Sequence, residues 1–323
     1  MTTSAKRLAC AALIGSLAAA SLASPSQAHA GEITALVPFQ NAPFPFDGKS
    51  VDGNPPFFDV IDSARRGHTT QRGGVYWEDT TYSDDRVLLH IPATFDPRKP
   101  ALIVIYMHGN EATLERDVIV RQRIPEQIAN THANAVLVAP QFALDARDSS
   151  AGHFARPGAF GRFLTEAAAQ LQAQLVLHQR VARGSANLFR RTPVIIVAYS
   201  GGYFPAAYAV THGQAEARIR GVILFDALYG DEEKFADWIA HHRDHAFLFS
   251  AYTASCETSN LVLQELLSRH RLKPKLGLPA KLAPGTFAFL GVTNAQHQDF
   301  MTQAWVADPV TDMLQRVCCL HSH

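Results

Sequence analysis

The apolar residues of this chain fall into short, separated runs. Val194-Ile-Ile-Val197 is unbroken and β-branched, which predicts a strand buried on both faces of a parallel sheet. Comparable runs at 101–107, 135–139, 221–225, 246–250 and 286–291 predict further strands. Between them the apolar spacing becomes helical: a helix of roughly fifteen residues through Leu114, Val118, Arg121 and Ile128, bent by Pro125, a second from about Gly158 to Val181, and a third through Phe235, Trp238 and Ile239. Strands and helices in alternation predict an α/β fold with a mostly parallel central sheet and helices on both faces. Ahead of these, 75–80 and 86–91, joined by Ser83-Asp84-Asp85, read as an antiparallel hairpin.

The chain begins differently. Lys6 and Arg7, the alanine-rich apolar stretch from Leu8 to about Leu22, and Ala28-His29-Ala30 form the pattern of a secretory signal peptide cut after Ala30, and so predict a periplasmic or secreted protein. Residues 31–323 then make one domain. Its first part, to about residue 70, intersperses Pro38, Pro43, Pro45, Pro55 and Pro56 with Phe39, Phe44, Phe46, Phe57 and Phe58, and reads as an extended arm packed on the domain. Only about twenty residues separate Phe225 from the next strand, which leaves no room for a large cap insertion. The longest connection instead runs from Pro140 to Pro193, where it is placed to wall a cleft.

Charge adds a boundary. With 29 Lys and Arg against 29 Asp and Glu, nothing draws the protein to nucleic acid or an anionic membrane, and no second apolar run is long enough to span a bilayer. Beyond the leader the cysteines are Cys256, Cys318 and Cys319, an odd number for an oxidising compartment, which suggests a disulfide from Cys256 to one of the vicinal pair.

The candidate chemistry centres on Ser200, which follows the 194–197 run and precedes the helical pattern of Phe204, Ala207, Tyr208 and Val210. A serine between a buried strand and a helix needs small residues two before and two after it; Ala198 and Gly202 meet that need, with alanine replacing the glycine of G-x-S-x-G. His297, just after the last strand, is placed to act as base. Asp226 at the end of the 221–225 strand, or Glu257 beyond the next one, is placed to orient it, and the tighter hold at a strand end favours Asp226. His108-Gly109-Asn110 after the 101–107 strand and the N–H of Gly201 are candidates for holding an oxyanion, with Asn110 as the second donor.

Taken together, the elbow, the HG loop and the order Ser, Asp, His resemble the α/β-hydrolase superfamily over almost the whole of 31–323. The resemblance implies an exported serine esterase, working through an acyl-enzyme without metal or organic cofactor on a small-molecule or cell-envelope ester, with Tyr199, Tyr203 and Phe204 lining its cleft. A peptidase or amidase with the same triad, or a binding protein that kept the fold without turnover, are the alternatives. His241, His242 and His245 lack the glutamate of a metalloprotease helix and read as a cationic helix end.

Overall fold

The computed structural model describes residues 31–50 and 55–320. The proposed leader, and the His321 and His323 of the tail, lie outside the described residues.

Strand β1 (Ile33–Pro38) opens the described chain, followed by the short strands β2 (Val60–Asp62), β3 (Arg65–Thr69) and β4 (Val75–Trp77). Then come β5 (Arg86–Ile91), β6 (Leu102–Met107), β7 (Ala135–Pro140), β8 (Val194–Tyr199), β9 (Ile219–Phe225), β10 (Phe247–Tyr252), β11 (Lys275–Leu276) and β12 (Phe287–Gly291). Nine of them form one sheet in the order β1-β5-β7-β6-β8-β9-β10-β12-β11, parallel from β7 to β11 and antiparallel at β1 and β5. The other three make a small antiparallel sheet, β2-β3-β4.

Strand residues alternate between two apolar layers. Ile103, Ile105 and Met107 of β6, with Val194, Ile196 and Ala198 of β8, face one core; Leu102, Val104, Tyr106, Ile195, Val197 and Tyr199 face the other. Because both faces are buried, the runs read as continuous rather than alternating. Each aliphatic side chain buried in this way contributes about 1.5–3 kcal/mol.

A single helical turn, α1 (Glu78–Thr81), precedes β5, and α2 (Ile124–Ala129) precedes β7. Then follow α3 (Ala159–Leu177), α4 (Tyr203–His212), α5 (Glu232–His242), α6 (Glu257–Arg269), α7 (Phe300–Gln303) and α8 (Pro309–Arg316). Phe163 and Leu171 of α3, Ala206 of α4, Phe235 of α5 and Leu263 of α6 fill the first core; Ile128, Met301 and Leu314, from α2, α7 and α8, fill the second.

Four expectations change. Residues 75–80 and 86–91 are not a hairpin: β4 pairs with β3 in the small sheet, α1 intervenes, and β5 pairs with β1 and β7 in the large one. The helix at 114–128 is two elements. Leu114–Arg121 is wound as a wider π-helix, Arg123 turns left-handed at φ 52°, and Pro125 then sits in the first turn of α2, where its missing N–H costs nothing. The arm is partly regular, for Ile33–Pro38 is an edge strand of the main sheet. Its phenylalanines Phe44, Phe46, Phe57 and Phe58 cluster with Tyr82 in a satellite core.

The fourth concerns the cysteines. Cys256, Cys318 and Cys319 are all free. Cys256 is buried in the first core, whereas Val317 and Leu320, which flank the vicinal pair, pack on the second, so the sheet lies between the proposed partners.

Candidate active site

Strand β8 ends at Tyr199, and Ser200, in the left-handed region at φ 53°, opens a short 3₁₀ turn that leads into α4. Such a backbone is strained for a residue with a side chain and persists where the surroundings over-determine it. Here they do. A Cβ on Gly202 would lie 2.2 Å from the Met107 carbonyl oxygen, and Ala198 is fully buried at the other small position. The turn thus lifts Ser200 to the carboxyl end of the sheet, partly exposed.

There its Oγ lies 2.8 Å from Nε2 of His297, and Nδ1 of the same ring lies 2.6 Å from Oδ2 of Asp226. These three residues, 97 and 71 positions apart along the chain, come from the ends of β8, β9 and β12. An imidazole that donates from Nδ1 to a carboxylate presents the lone pair of Nε2 to the serine hydroxyl, the arrangement a general base requires.

Asp226 is fully buried and takes φ 43°. Burial pushes its carboxyl pKa up, but the hydrogen bond from His297 and those from Thr253 outweigh it, and the group sits below its ordinary value. Thr253 N–H donates to Oδ1 at 2.7 Å and its hydroxyl lies 3.0 Å from both oxygens; Ser255 Oγ adds a contact at 3.2 Å to Oδ2. Thr253 and Ser255 lie just beyond β10, so the loop after that strand supplies donors to Asp226 rather than a carboxylate to His297. Glu257 instead opens α6 and is exposed. The Tyr229 hydroxyl stands 3.3 Å from His297 Nδ1 and 3.2 Å from Ser255 Oγ, closing the network over the carboxylate.

The histidine loop is held from beneath. Tyr199 is 4% exposed, and its hydroxyl donates to the His297 carbonyl at 2.7 Å. Its expected place in the cleft lining is therefore corrected: an aromatic residue at the strand end, facing the second core, packs under the histidine. Arg121, the last residue of the π-helical segment, donates to the next carbonyl, that of Gln298, at 3.2 Å and is itself anchored on Asp117 at 2.7 Å. Burial raises the Asp117 carboxyl, but the bonds from the Thr113 N–H, Arg121 and Arg116 hold it below its ordinary value.

The HG loop lies against Ser200. A Cβ on Gly109 would come within 2.7 Å of Ser200 Cβ. His108 is buried and held neutral, since burial lowers its pKa; Nδ1 donates to the Gly109 carbonyl at 2.7 Å and Nε2 accepts from the Phe142 N–H at 2.9 Å. The side chain of Asn110, oriented to suit its neighbours, donates to Ser149 Oγ at 3.0 Å and to the Asp148 carbonyl at 2.8 Å, and accepts from Arg72 at 3.3 Å. That amide is committed to the loop at 148–149, so any oxyanion contact from Asn110 falls to its backbone N–H. Gly201 stands in the first turn after the strand, where N–H groups lack intrahelical acceptors.

Tyr203 and Phe204 line a cavity of about 120 Å³ beside the elbow, together with Phe46 and Phe57 of the arm and the 147–152 loop. Elsewhere, His241 and His242 each bond through Nδ1 to a carbonyl one turn back, Asp237 and Trp238. Among the described residues no three metal-binding side chains converge, and no helix is long and apolar enough to cross a membrane.

Sequence reasoning missed Thr253, Ser255, Tyr229 and Arg121. For the first two a signal existed, a polar Thr-Ala-Ser directly after a buried strand; for Arg121, 177 residues from its acceptor, none did.

No protein-family model matches the chain, and no curated protein does. Among solved structures it is similar to a feruloyl esterase module from Clostridium thermocellum (13% identity over 87% of this chain and 99% of that one, TM-score 0.45). It is also similar to an S-formylglutathione hydrolase from Agrobacterium tumefaciens (11%, 75% and 92%, TM-score 0.41) and an IroE-like serine hydrolase from Shewanella oneidensis (13%, 71% and 74%, TM-score 0.42). By its own sheet order, with antiparallel β5 between β1 and β7 and a left-handed serine between β8 and α4, the chain has the α/β-hydrolase fold.

Proposed function

We propose that the protein is a serine hydrolase that cleaves carboxylic esters through an acyl-enzyme. The observation that carries this reading is the continuous path from Ser200 Oγ through His297 to Asp226, with separations of 2.8 and 2.6 Å. Ser200 Oγ attacks the ester carbonyl and forms a C–O bond while His297 Nε2 takes its proton. Asp226 holds the imidazole in the tautomer that accepts there and balances the charge of the imidazolium. The carbonyl oxygen, now negative, is received by the backbone N–H groups of Gly201 and Asn110. The imidazolium then gives its proton to the alcohol oxygen as the C–O bond to it breaks, and a water molecule repeats the sequence to release the acid. No step calls on a metal or organic cofactor. Export, which places the substrate in the periplasm or outside the cell, rests on the leader pattern ending at Ala28-His29-Ala30.

The test is peptide mapping after reaction with a fluorophosphonate, alongside matched ester and amide turnover. Labelling of Ser200 that disappears in Ser200→Ala and His297→Ala, with ester cleaved faster than amide, is the expected result. A folded protein that takes no label would overturn the reading, and faster amide cleavage would make it an amidase.

A further inference from the structure

The cavity beside the elbow is built for more than an apolar chain. Its floor is aromatic, from Phe46, Phe57, Tyr203 and Phe204, yet among the described residues its lining carries Lys49, Arg72 and Arg147 against a single carboxylate, Asp148. That carboxylate is occupied: Oδ2 accepts from the Tyr82 hydroxyl at 2.9 Å, and Oδ1 from the Ser150 N–H and hydroxyl at 3.0 and 2.7 Å. Arg147 is matched by Glu111 at 2.9 Å. Arg72 contacts a neutral group, the Asn110 amide oxygen, at 3.3 Å.

Arg72 reaches this position because a braced hairpin carries it. The turn between β3 and β4 closes through Thr70 N–H to the Gly74 carbonyl at 3.1 Å, and Gly73 and Gly74 take φ of 83° and 92°. At its base Arg65 and Arg66 pair with Asp79 and Glu78, and His68 stacks on Phe57 with centroids 4.0 Å apart. The small sheet thus leans on the aromatic arm, and its tip delivers a guanidinium beside Asn110, whose backbone N–H serves the oxyanion site.

We infer that the cavity is the acyl subsite, and that Arg72 selects acyl groups ending in a carboxylate. The inference rests on the serine hydrolase reading. The leaving alcohol must depart beside His297 Nε2, and no residue of the histidine loop or of the loop around Asp226 lines the cavity; it borders the reaction centre on the other side, through Tyr203, three residues after Ser200, and through Ser149 and Arg72, both in contact with Asn110, which assigns it to the acyl half. A space of about 120 Å³ holds a short chain or one ring. A singly charged carboxylate matches the fork of one guanidinium.

The test compares the 4-nitrophenyl monoester of adipic acid with 4-nitrophenyl hexanoate, equal in chain length. The ratio of kcat/KM, adipate over hexanoate, is expected to exceed unity and to fall about 10- to 100-fold in Arg72→Gln, as for loss of a charge-assisted hydrogen bond. Calorimetric titration of Ser200→Ala with both esters reads the same preference without turnover. An equal affinity for the two, or a preference that survives in Arg72→Gln, would overturn the subsite whether or not the enzyme is a hydrolase. Ser200-dependent hexanoate turnover without any adipate preference would leave the hydrolase reading standing alone.

Discussion

The ring of Tyr199 lies beneath that of His297, with centroids 5.2 Å apart and planes 20° from parallel, and its hydroxyl donates to the backbone carbonyl of the same histidine. The residue before Ser200 therefore fixes both the plane and the loop of His297. In Tyr199→Phe the stacking survives and the hydrogen bond is lost. A typical bond of this kind is worth about 1 kcal/mol, or roughly fivefold in rate when it positions a catalytic group. Ester kinetics are expected to show kcat lower by about that factor with KM unchanged. A fall in melting temperature with kcat intact would make the bond purely structural.

The donors around Asp226 lead to a sharper contrast. Asp226→Asn keeps the shape but turns the Nδ1 partner into an amide, which favours the tautomer unable to accept from Ser200; a loss of about 10⁴ in kcat is expected. Glu257→Gln alters an exposed carboxylate at the start of α6 and should leave kcat within about twofold. Measuring both variants on one ester decides the matter, since a large loss in the second alone would transfer the orienting role to Glu257.

Acid stability is expected to depend on a histidine remote from this chemistry. His90 of β5 is fully buried; Nδ1 bonds Thr34 Oγ1 at 2.9 Å and Nε2 has no partner. Protonation would place a charge on a buried ring whose Nε2 has no partner, and burial lowers the pKa to about 4 despite the Glu32 carboxylate 3.6 Å from Nδ1. Because the folded state resists a proton that the unfolded chain binds near pH 6.5, stability falls as pH drops from about 6.5 towards 4 and then levels off. The window corresponds to roughly 3 kcal/mol. Denaturant midpoints across it should decline more steeply in the native sequence than in His90→Phe; equal slopes would assign the acid sensitivity to other groups.

These relationships divide by their range along the chain. The strand, Ser200 and α4 are contiguous, and the steric demand for Ala198 and Gly202 is local, so the elbow was legible in a dozen letters. The fully buried runs of β6, β7, β9 and β10 were legible for the same reason. Pairing was not. Val75–Trp77 has the composition of a strand, but nothing in it says that its partner is β3 rather than β5. The cysteines show the same limit, because spacing carries no sign of which face of the sheet each will occupy. Arg121 and Gln298 meet only once the sheet has brought the π-helical segment beside the histidine loop. The carboxylate that meets His297 was legible as one of two residues, and what holds Asp226 there is a set of donors on Thr253 and Ser255 that only the folded loop aims.

The HG loop supplies a last prediction, in Gly109→Ala. The new methyl would sit 2.7 Å from Ser200 Cβ, 3.2 Å from Ser200 Oγ and 3.3 Å from Tyr199 Cδ1. Relief requires either the loop or the serine to move. The loop resists, since His108 is buried and bonded at both nitrogens, one of them to the Gly109 carbonyl itself. The serine resists too, because Gly202 behind it already lies against the Met107 carbonyl. The strain falls on the one soft coordinate left, the position of Oγ relative to His297 Nε2, and a displacement approaching 1 Å there costs about 10²-fold in rate. Gly109→Ala is therefore expected to lose about two orders of magnitude in kcat while remaining folded. Fluorophosphonate labelling of Ser200 should slow in parallel; labelling at the native rate would mean that the loop yields and the serine stays in place.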